Sequence, residues 1–538
     1  MARRGAGELT DQTSGCDSGA VSSDASSNVA RTAGRGGLAV AFAKAFFIVV
    51  GLVQTVALKL ILGLDAFGAL SSALAAASII YNPIVSTSIQ GVSRGVAQAA
   101  PGEEPATIRR VFRVHAMLAI PVGALFFVAS WPLCWLLGMP HVRLTMQILS
   151  GVVVAYGVYA PLVGVLNGRK HFVGQAAFDV GFATLRTAGL LGLGWFAMHT
   201  WQRGPEGAAT GFALAAGAIF VVAAWYVGLG KSGSGGLSAR AHLRFVIPLA
   251  AGQLLLYLLF QADGLLLRGL SAQAAAVAGL PPEAADPLVG AYRAAQLFCF
   301  LPYQLLLSIT FVIFPLLATA HHEGQMENVR EYVRTGIRIA LVIAGAMVAV
   351  NSSLAGRLLA MVFGSDTAAL GTDAMQLLSL GFGAFAIFGI FTTVLNSLKQ
   401  ERAAAKLTFG AFVLVVALGS ALVYGRPFGA HLLWWMALST SIALALATVG
   451  GAILVARTAN AVVAPVSLLR VVVALGVAIV VGRVLPDPAL GALAARGLTL
   501  CYAALVGVVY LGVLLVTREL GPSDLALVRA VLPGRRRA

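Results

Sequence analysis

The sequence is a succession of apolar runs, separated by short segments that hold charged residues, glycine or proline. A helix needs about 20 mostly apolar residues to cross the hydrocarbon core of a bilayer. Only helices and closed barrels satisfy every backbone polar group there. The runs are long enough to predict membrane-spanning helices. They lie near residues 37–58, 66–93, 111–137, 143–167, 172–197, 207–229, 243–267, 287–319, 332–352, 370–397, 404–424, 429–455, 464–484 and 490–516.

The composition agrees with a chain embedded in lipid. Of the 538 residues, 59% are hydrophobic and 11% are charged, whereas a soluble domain carries roughly 25% charged residues. The net charge of +16 arises in short basic loops between the apolar runs, and no basic segment is interleaved with aromatic residues as in a nucleic-acid site. We therefore expect an all-α polytopic membrane protein with about fourteen transmembrane helices and no nucleic-acid partner.

The distribution of lysine and arginine predicts the orientation of these helices. If the N-terminus is cytoplasmic, the inner segments hold roughly 26 basic residues by the positive-inside count. The outer segments then hold only Lys59, Arg143, Arg203, Arg268, Arg357, Arg426, Arg483 and Arg496. We expect both termini to be cytoplasmic. Residues 1–35, rich in Ser, Gly, Asp and Arg, predict a disordered tail, and residues 518–538 predict a basic tail.

The two halves of the sequence match at three places in the same order. The matching pairs are Gly68 with Gly290 at the start of the second and eighth spans, Gly102 with Gly324 in the inner loops that follow, and Asn167 with Asn396 at the end of the fourth and tenth spans. Because a repeat of six helices is even, both copies face the same way across the membrane. This arrangement predicts two parallel lobes that can rock around a central site.

The predicted domains follow from this repeat. An N-lobe with helices 1–6 covers residues 36–230, and a cytoplasmic linker covers 231–241. A C-lobe with helices 7–12 covers 242–456, and two additional helices cover 457–517.

Proline occurs in the second helix of each repeat, at Pro83 in the N-lobe and at Pro302 and Pro315 in the C-lobe. Proline removes one backbone hydrogen bond and bends a helix. We interpret the three residues as hinge or bend positions, with prolines merely tolerated in membrane helices as the alternative.

Several of these segments resemble the multidrug/oligosaccharidyl-lipid/polysaccharide flippase superfamily, and within it the flippases for polysaccharide export and lipid-linked oligosaccharides. The segments are Leu64–Leu70, Gln261–Asp263, Gly290–Gln296, Phe314–Leu316 and Val394–Asn396. The resemblance covers most of residues 37 to 516 and lies in pattern and order. The multidrug branch typically has an acidic residue in its first lobe, whereas the first helix here carries Lys44 and no acid.

Charged residues inside the apolar runs need an explanation, because each costs roughly 2.5–3.5 kcal/mol at the centre of a membrane helix. In the C-lobe, Asp263 and Arg293 are expected at a similar depth near the outer face and could pair across neighbouring helices. Gln261 and Gln296 would extend the polar lining. The pair is interpreted either as a rim or gate of a central cavity or as a structural ion pair.

In the N-lobe, Lys44 lies about two turns into the first span, and Gln90 and Arg94 lie near the inner end of the second. Together they could form a cationic patch suited to a pyrophosphate, with snorkelling to the interface as the alternative. Asp179 and Arg186, seven residues apart in one span, are expected to pair with other helices.

Enzyme chemistry is not indicated by the sequence. The four cysteines are widely spaced, which indicates neither a disulfide framework nor a zinc site. Gly230-Lys231-Ser232 lacks the first glycine of a phosphate-binding loop, and His321-His322-Glu323 is interpreted as a solvated turn. The outer loops are short and lack a cluster of acids, Arg or His. We expect no metal, no cofactor and no catalytic residue.

The sequence is thus interpreted as a flippase that moves a polyprenyl-pyrophosphate-linked oligosaccharide across the bacterial cytoplasmic membrane by alternating access. Membrane lipids and the lipid-linked substrate are the expected partners, and the resemblance also admits polysaccharide-assembly enzymes. The alternatives are a multidrug or cation antiporter of the same superfamily, a flippase for a peptidoglycan lipid precursor, a membrane glycosyltransferase or ligase, and a scaffold that transports nothing.

Overall fold

The computed structural model describes residues 19–233, 236–461, 464–486 and 491–521, and it excludes the side chains of residues 19–41, 308–316 and 492. The described residues form an all-α protein without a β-strand. The helices are α1 (Gly19–Ala97), α2 (Glu104–Leu136), α3 (Arg143–Gly168), α4 (Phe172–Trp201), α5 (Gly204–Val227), α6 (Ala239–Val277), α7 (Asp286–Cys299), α8 (Leu301–His322), α9 (Met326–Ser353), α10 (Ala355–Phe363), α11 (Ser365–Ser397), α12 (Glu401–Val423), α13 (His431–Ala459), α14 (Pro465–Val484) and α15 (Ala492–Val516).

The prediction of an all-α polytopic membrane protein is confirmed. Within the described part of the chain, 12 helices are long and apolar enough to cross a membrane. One of them, Phe42–Ala97, has 56 residues and would be about 84 Å long if straight, more than twice the hydrocarbon thickness. The twelve count this helix once and do not include α7 and α8. Two crossings by this helix and one by α7 together with α8 would give fourteen, and this number stays a prediction.

Helix α1 is interrupted at Gly63, whose backbone is non-helical with φ 79° and ψ 171°. A positive φ of this size favours glycine, because a side chain would crowd the backbone. The interruption divides α1 into a first limb that ends at Leu62 and a second limb that begins at Leu64. This position is the predicted outer face of the membrane.

The N-terminal part of α1 differs from the predicted tail. Residues 19–35 form the beginning of the helix, whereas the sequence predicts a disordered tail over residues 1–35. No proline occurs between residues 19 and 35, so nothing in that segment forces a helix to end before the first span. Residues 1–18 and 522–538, the rest of the two predicted tails, lie outside the described residues.

The buried apolar residues form separate cores that correspond to the two halves of the chain. One core draws its buried residues from α1 to α5, with Tyr156, Leu162 and Phe212 among them. Two further cores lie between residues 259 and 514, centred on α11. Helices α14 and α15 pack against each other and against α9, outside the predicted repeat. The exact domain boundaries stay predictions.

Helices from the two halves pack against each other. Helix α1 packs against α6 and α7, while α8 packs against α9 and α11 of its own half. The short helix α10, which the sequence pattern does not predict, connects α9 to α11 at the predicted outer face.

Candidate functional site

Asp263 of α6 is the centre of a buried polar group in the C-lobe. One carboxylate oxygen accepts hydrogen bonds from the Tyr292 hydroxyl at 2.9 Å and from the Gln296 amide at 2.8 Å. The other accepts from the backbone N–H of Gly264 at 2.8 Å. Asp263 is only 2% exposed. These three donors therefore replace the hydrogen bonds to water that a carboxylate loses when it is buried.

Arg293 of α7 extends this group. Its guanidinium donates to the side-chain carbonyl of Gln261 at 3.2 Å and to that of Gln296 at 3.1 Å. Gln261 and Gln296 are 8% and 5% exposed. We call these five residues, Gln261, Asp263, Tyr292, Arg293 and Gln296, the C-lobe polar group.

The sequence predicts that Asp263 and Arg293 could pair directly, and the structure shows a different arrangement. Within the described residues the two side chains make no salt bridge, because Gln296 lies between them, donating to Asp263 and accepting from Arg293. An amide can do both at once through its NH2 and its carbonyl. The arrangement leaves part of the Arg293 guanidinium available to another acceptor.

A second polar group lies on α1 and α4 in the N-lobe. Gln54 accepts from Arg186 at 3.2 Å and from the Thr187 hydroxyl at 3.0 Å. The Arg186 guanidinium also lies over the ring of Phe47, 4.8 Å from its centroid. Nearer the other end of the first limb of α1, Lys44 pairs with Asp179 at 3.4 Å. We call Lys44, Gln54, Asp179, Arg186 and Thr187 the N-lobe polar group.

Tyr81 of α1 packs against aromatic rings beside the N-lobe polar group. Its ring lies 5.0 Å from that of Tyr156 and 6.0 Å from that of Phe212. The Arg186 guanidinium lies 5.8 Å from the centroid of the same Phe212 ring. The charged side chains of the two groups are three cations and two acids, a net charge of +1.

The expected cationic patch of Lys44, Gln90 and Arg94 is not assembled in this structure. Lys44 points to Asp179, and its side chain is 61% exposed. Arg94 donates to Gln98 at 3.3 Å and its guanidinium lies 4.4 Å from the centroid of the Phe245 ring.

Gln90, the third member of the predicted patch, forms a hydrogen bond within its own helix. Gln90 donates to the Ser86 hydroxyl one turn away, at 3.3 Å. Gln90 and Arg94 are both exposed, which agrees with side chains that extend to the interface.

At the predicted outer face the two lobes are joined by an ion pair. The Lys59 ammonium at the end of the first limb of α1 lies 2.7 Å from a carboxylate oxygen of Asp366 at the start of α11. The same ammonium donates to the backbone carbonyl of Phe363. The Lys59 side chain is 8% exposed and that of Asp366 is 53% exposed.

A second set of contacts joins the lobes a short distance away. His141, which follows α2, lies 2.8 Å from the Asp286 carboxylate through Nε2 and 3.2 Å from that of Glu283 through Nδ1. Arg268 is fully buried, lies 3.4 Å from Asp286, and donates to the backbone carbonyl of Gly138 at 2.9 Å. We call these contacts, together with Lys59–Asp366, the outer latch.

Beside the outer latch, α1 and α7 meet with almost no space between their backbones. A Cβ added to Gly68 would lie 1.9 Å from the Asp286 carbonyl oxygen, and one added to Gly290 would lie 2.7 Å from the Leu64 carbonyl oxygen. These two glycines are the matching residues of the predicted repeat. Equivalent positions of the two halves therefore contact each other, as expected at an axis that relates parallel lobes.

The prolines occupy different structural positions. Pro83 lies inside α1 and Pro302 lies in the first turn of α8, directly after the break at Phe300 that divides α7 from α8. Proline is well placed in a first turn, because its missing N–H has no partner there. The side chain of Pro315 lies outside the described residues. Their role as hinges stays a prediction.

Some members of the two polar groups were not predicted. Tyr292 is adjacent to Arg293 in the sequence, and Gln54 is a polar residue in an apolar span. Both positions could therefore have indicated a place in a buried polar group. Arg186 and Asp179 were expected to pair with other helices, and both do so. The outer latch could not be predicted, because Lys59 and Asp366 are 307 residues apart in the sequence.

The described residues hold no group of three or more His, Cys, Asp or Glu side chains that could bind a metal ion. The polar groups contain neither a nucleophile with an adjacent base nor a pair of free carboxylates. The arrangement offers hydrogen-bond donors and a net positive charge inside the two lobes.

Comparison with known proteins identifies the fold. No family model and no curated protein matches the sequence. Among solved structures, lipid II flippase MurJ in an inward closed conformation superposes with a TM-score of 0.67 at 12% identity, covering 89% of this chain and 99% of that one. An inward-facing multidrug resistance MATE family transporter of the MOP superfamily gives 0.61 at 15% identity, covering 77% and 96%.

A third solved structure shares the fold. An outward-facing MATE transporter of the MOP superfamily gives a TM-score of 0.52 at 15% identity, covering 79% of this chain and 96% of that one. The chain therefore has the fold shared by lipid II flippase MurJ and the MATE transporters of the MOP superfamily.

Proposed function

We propose that this protein is a flippase that moves a polyprenyl-pyrophosphate-linked oligosaccharide across the bacterial cytoplasmic membrane. The observation that carries the proposal is that each lobe holds an arginine inside an apolar protein, Arg186 and Arg293, whose guanidinium donates to neutral glutamine side chains. Arginine binds phosphate through charge-assisted hydrogen bonds that are roughly twice as strong as neutral ones.

The proposed pathway runs between the N-lobe and C-lobe polar groups. Glutamine, tyrosine and threonine side chains there provide partners for sugar hydroxyls, and the net charge of +1 favours an anionic head group. The apolar polyprenyl tail remains in lipid, because moving it through this polar region would cost about 0.8 kcal/mol for each CH2.

Alternating access is the proposed mechanism. The outer latch and the Gly68–Gly290 contact close the predicted outer face, while α8, on the predicted cytoplasmic side, packs with its own lobe. The structure would thus be a state that is closed at the predicted outer face. Rocking of the lobes would open the outer latch and close the cytoplasmic side.

A peptidoglycan lipid precursor is a second candidate substrate. The observation that favours it is the comparison with lipid II flippase MurJ, which covers 89% of this chain, whereas the MATE comparisons cover 77–80%. Both candidates carry a pyrophosphate next to a polyprenyl chain, so the arginines would serve either one.

The test uses purified protein in vesicles that contain a fluorescent lipid-linked oligosaccharide, and a second set that contains fluorescent lipid II. Access of an external quencher to the label measures translocation. Arg186→Gln and Arg293→Gln should each slow translocation about tenfold or more, the loss expected for one charge-assisted hydrogen bond. Arg293→Lys keeps the charge and should retain part of the rate.

The control is Arg203→Gln, which removes one positive charge from an exposed residue outside both polar groups and should leave the rate unchanged. Translocation of neither lipid, together with efflux of a cationic dye that stops in Asp263→Asn, would replace this proposal with the antiporter alternative. Equal rates in Arg186→Gln, Arg293→Gln and the wild type would exclude the proposed pathway.

A further inference from the structure

A cavity of about 460 Å³ lies beside the outer latch and is lined by residues of both lobes. Its wall combines the start of the second limb of α1, the beginnings of α3 and α5, and the segment that precedes α7. It shares no lining residue with the N-lobe or C-lobe polar group, and its volume lies within the range of about 300–1,000 Å³ that small-molecule sites occupy. We call it the outer cavity.

The outer cavity is strongly acidic. Four carboxylates line it, from Asp65 and Glu206 of the N-lobe and from Glu283 and Asp286 of the C-lobe, and His141 is the only basic residue among the described lining residues. Even with His141 protonated and with Arg268 behind Asp286 counted, four carboxylates face at most two cations. Like charges that share a cavity repel one another, so a cation bound among them would stabilise the arrangement.

The four carboxylates differ in their partners. Those of Glu283 and Asp286 belong to the outer latch, where both lie against His141. The side chains of Asp65 and Glu206 make no hydrogen bond or ion pair with the part of the chain that the structure describes. Asp65 is exposed and Glu206 is half-buried. The uncompensated charge of the cavity therefore comes from the two N-lobe carboxylates.

A second, independent feature of the cavity is a pair of buried acceptor atoms. Thr145 is 1% exposed, and its hydroxyl has no hydrogen-bond partner among the described residues. Asp286 is 3% exposed, and its Oδ1 atom accepts no hydrogen bond from them, the Arg268 Nε lying 3.4 Å away. A buried polar atom without a partner is unfavourable. Both atoms can accept hydrogen bonds, so a ligand that carries N–H donors would satisfy them.

These two features define the chemistry of the ligand. A directly ligated metal ion is not favoured, because the described residues hold no group of three or more suitable side chains. A primary ammonium group carries one positive charge and three N–H donors, so it matches both the carboxylates and the buried acceptors. The whole chain has a net charge of +16, so attraction of a cation to this place depends on the local carboxylates.

We propose that the outer cavity binds a primary ammonium group, with Asp65 and Glu206 neutralising its charge and Thr145 accepting one of its hydrogen bonds. A soluble organic amine and an ethanolamine lipid head group share this chemistry. Because the cavity is lined by both lobes, a bound amine would hold them together at the predicted outer face. The site is separate from the proposed pathway and does not depend on the translocated substrate.

The first arm of the test measures the thermal unfolding midpoint of the full-length protein in neutral detergent, at constant ionic strength. Spermidine is the probe, and tetramethylammonium is the reference cation without an N–H. Spermidine should raise the midpoint, because a ligand that binds only the folded state stabilises it. Asp65→Asn and Glu206→Gln should each weaken spermidine binding at least about tenfold. The matched control Asp373→Asn removes one exposed carboxylate near the start of α11 and should bind as the wild type does.

Thr145→Val tests the buried hydroxyl. The substitution keeps the shape of the side chain, so without spermidine it should not lower the unfolding midpoint, because the hydroxyl has no partner to lose. With spermidine it should weaken binding about fivefold, the loss expected for one hydrogen bond. Unchanged spermidine binding in Thr145→Val would contradict the assigned contact.

The second arm distinguishes a lipid from a soluble amine. Native mass spectrometry compares retention of phosphatidylethanolamine with that of phosphatidylcholine, whose quaternary ammonium has no N–H. A preference for phosphatidylethanolamine that is lost in Asp65→Asn and Glu206→Gln would identify the lipid as the source, whereas a spermidine effect without this preference would identify a soluble amine. Equal stabilisation by tetramethylammonium and spermidine would overturn the ammonium site, as would equal responses of the wild type and both carboxylate variants in both arms.

Discussion

At the scale of single residues, the C-lobe polar group shows how a membrane protein keeps a charge without a counter-ion in contact. Gln296 donates to Asp263 and accepts from Arg293, so both charged groups are satisfied while the arginine remains able to bind another partner. A direct salt bridge would have consumed this capacity. We interpret Gln296 as the residue that keeps the arginine available.

Replacing Gln296 tests this interpretation. Gln296→Leu removes one donor from the buried carboxylate of Asp263 and one acceptor from Arg293, so it should lower the free energy of unfolding by about 1–3 kcal/mol. Thermal unfolding of the protein in detergent measures the effect. Gln98→Leu, at an exposed glutamine that directly follows α1, is the control. An unchanged unfolding midpoint in Gln296→Leu would show that the bridge does not hold the group together.

The charged residues of the polar groups were largely predictable, and their partners were not. Lys44, Asp179, Arg186, Asp263 and Arg293 stand out because each is ionisable within an apolar run. Which side chains pair depends on how each helix is rotated about its axis. A membrane helix is apolar on the sides that face lipid and on those that face protein, so its sequence does not indicate this rotation. The expected pair of Asp263 with Arg293 and the expected cationic patch of Lys44, Gln90 and Arg94 therefore differ from the observed contacts.

At the scale of helices, the contact between α1 and α7 brings the backbones of the two lobes together. It depends on two glycines, because any side chain at Gly68 would meet the Asp286 carbonyl. Their matching places in the repeat were visible in the sequence, but their mutual contact was not. A repeat predicts equivalent positions, whereas contact at the axis depends on how the lobes close.

A methyl group at Gly68 should therefore favour separation of α1 from α7. In a background without native cysteines, Leu64→Cys reports on this contact, because Leu64 is 9% exposed and lies against Gly290. Adding Gly68→Ala should speed labelling of Cys at 64 by an impermeant thiol reagent about tenfold, since overpacking costs about 1–3 kcal/mol.

The control for this experiment is Gly192→Ala on α4. A Cβ at Gly192 would meet no atom within 4 Å, so labelling should remain at the original rate. If Gly68→Ala and Gly192→Ala gave the same labelling rate, the α1–α7 contact would not be what closes the outer face.

At the scale of the whole molecule, the apolar runs and the repeat predicted most of the architecture. Long apolar helices are imposed by the bilayer, and separate cores in the two halves agree with the predicted lobes. Helix α10 and the break between α7 and α8 were not predicted, because both lie within or next to apolar runs that read as continuous. The sequence also does not predict the conformation, because the same helices form every state of the proposed transport cycle.

The outer latch connects this architecture to the proposed function. Lys59, which is nearly buried, and Asp366, which is half-exposed, are joined at 2.7 Å across the two lobes. The pair must separate if the lobes open to the predicted outer face. A protein that transports without rocking would have no need to separate it.

The most direct measurement is translocation after the latch is made covalent. A water-soluble carbodiimide activates the exposed Asp366 carboxylate and joins it to the Lys59 amine as an amide, because the two atoms are already in contact. Lys59→Arg keeps the positive charge but cannot form this amide, and it leaves Lys44–Asp179 intact as an internal control. Peptide mass spectrometry quantifies the cross-linked fraction.

Translocation of the lipid-linked oligosaccharide by the treated wild type should fall in proportion to the cross-linked fraction, while treated Lys59→Arg should retain its rate. Cross-linked wild-type molecules that translocate at the untreated rate would contradict alternating access through an opening of the outer latch.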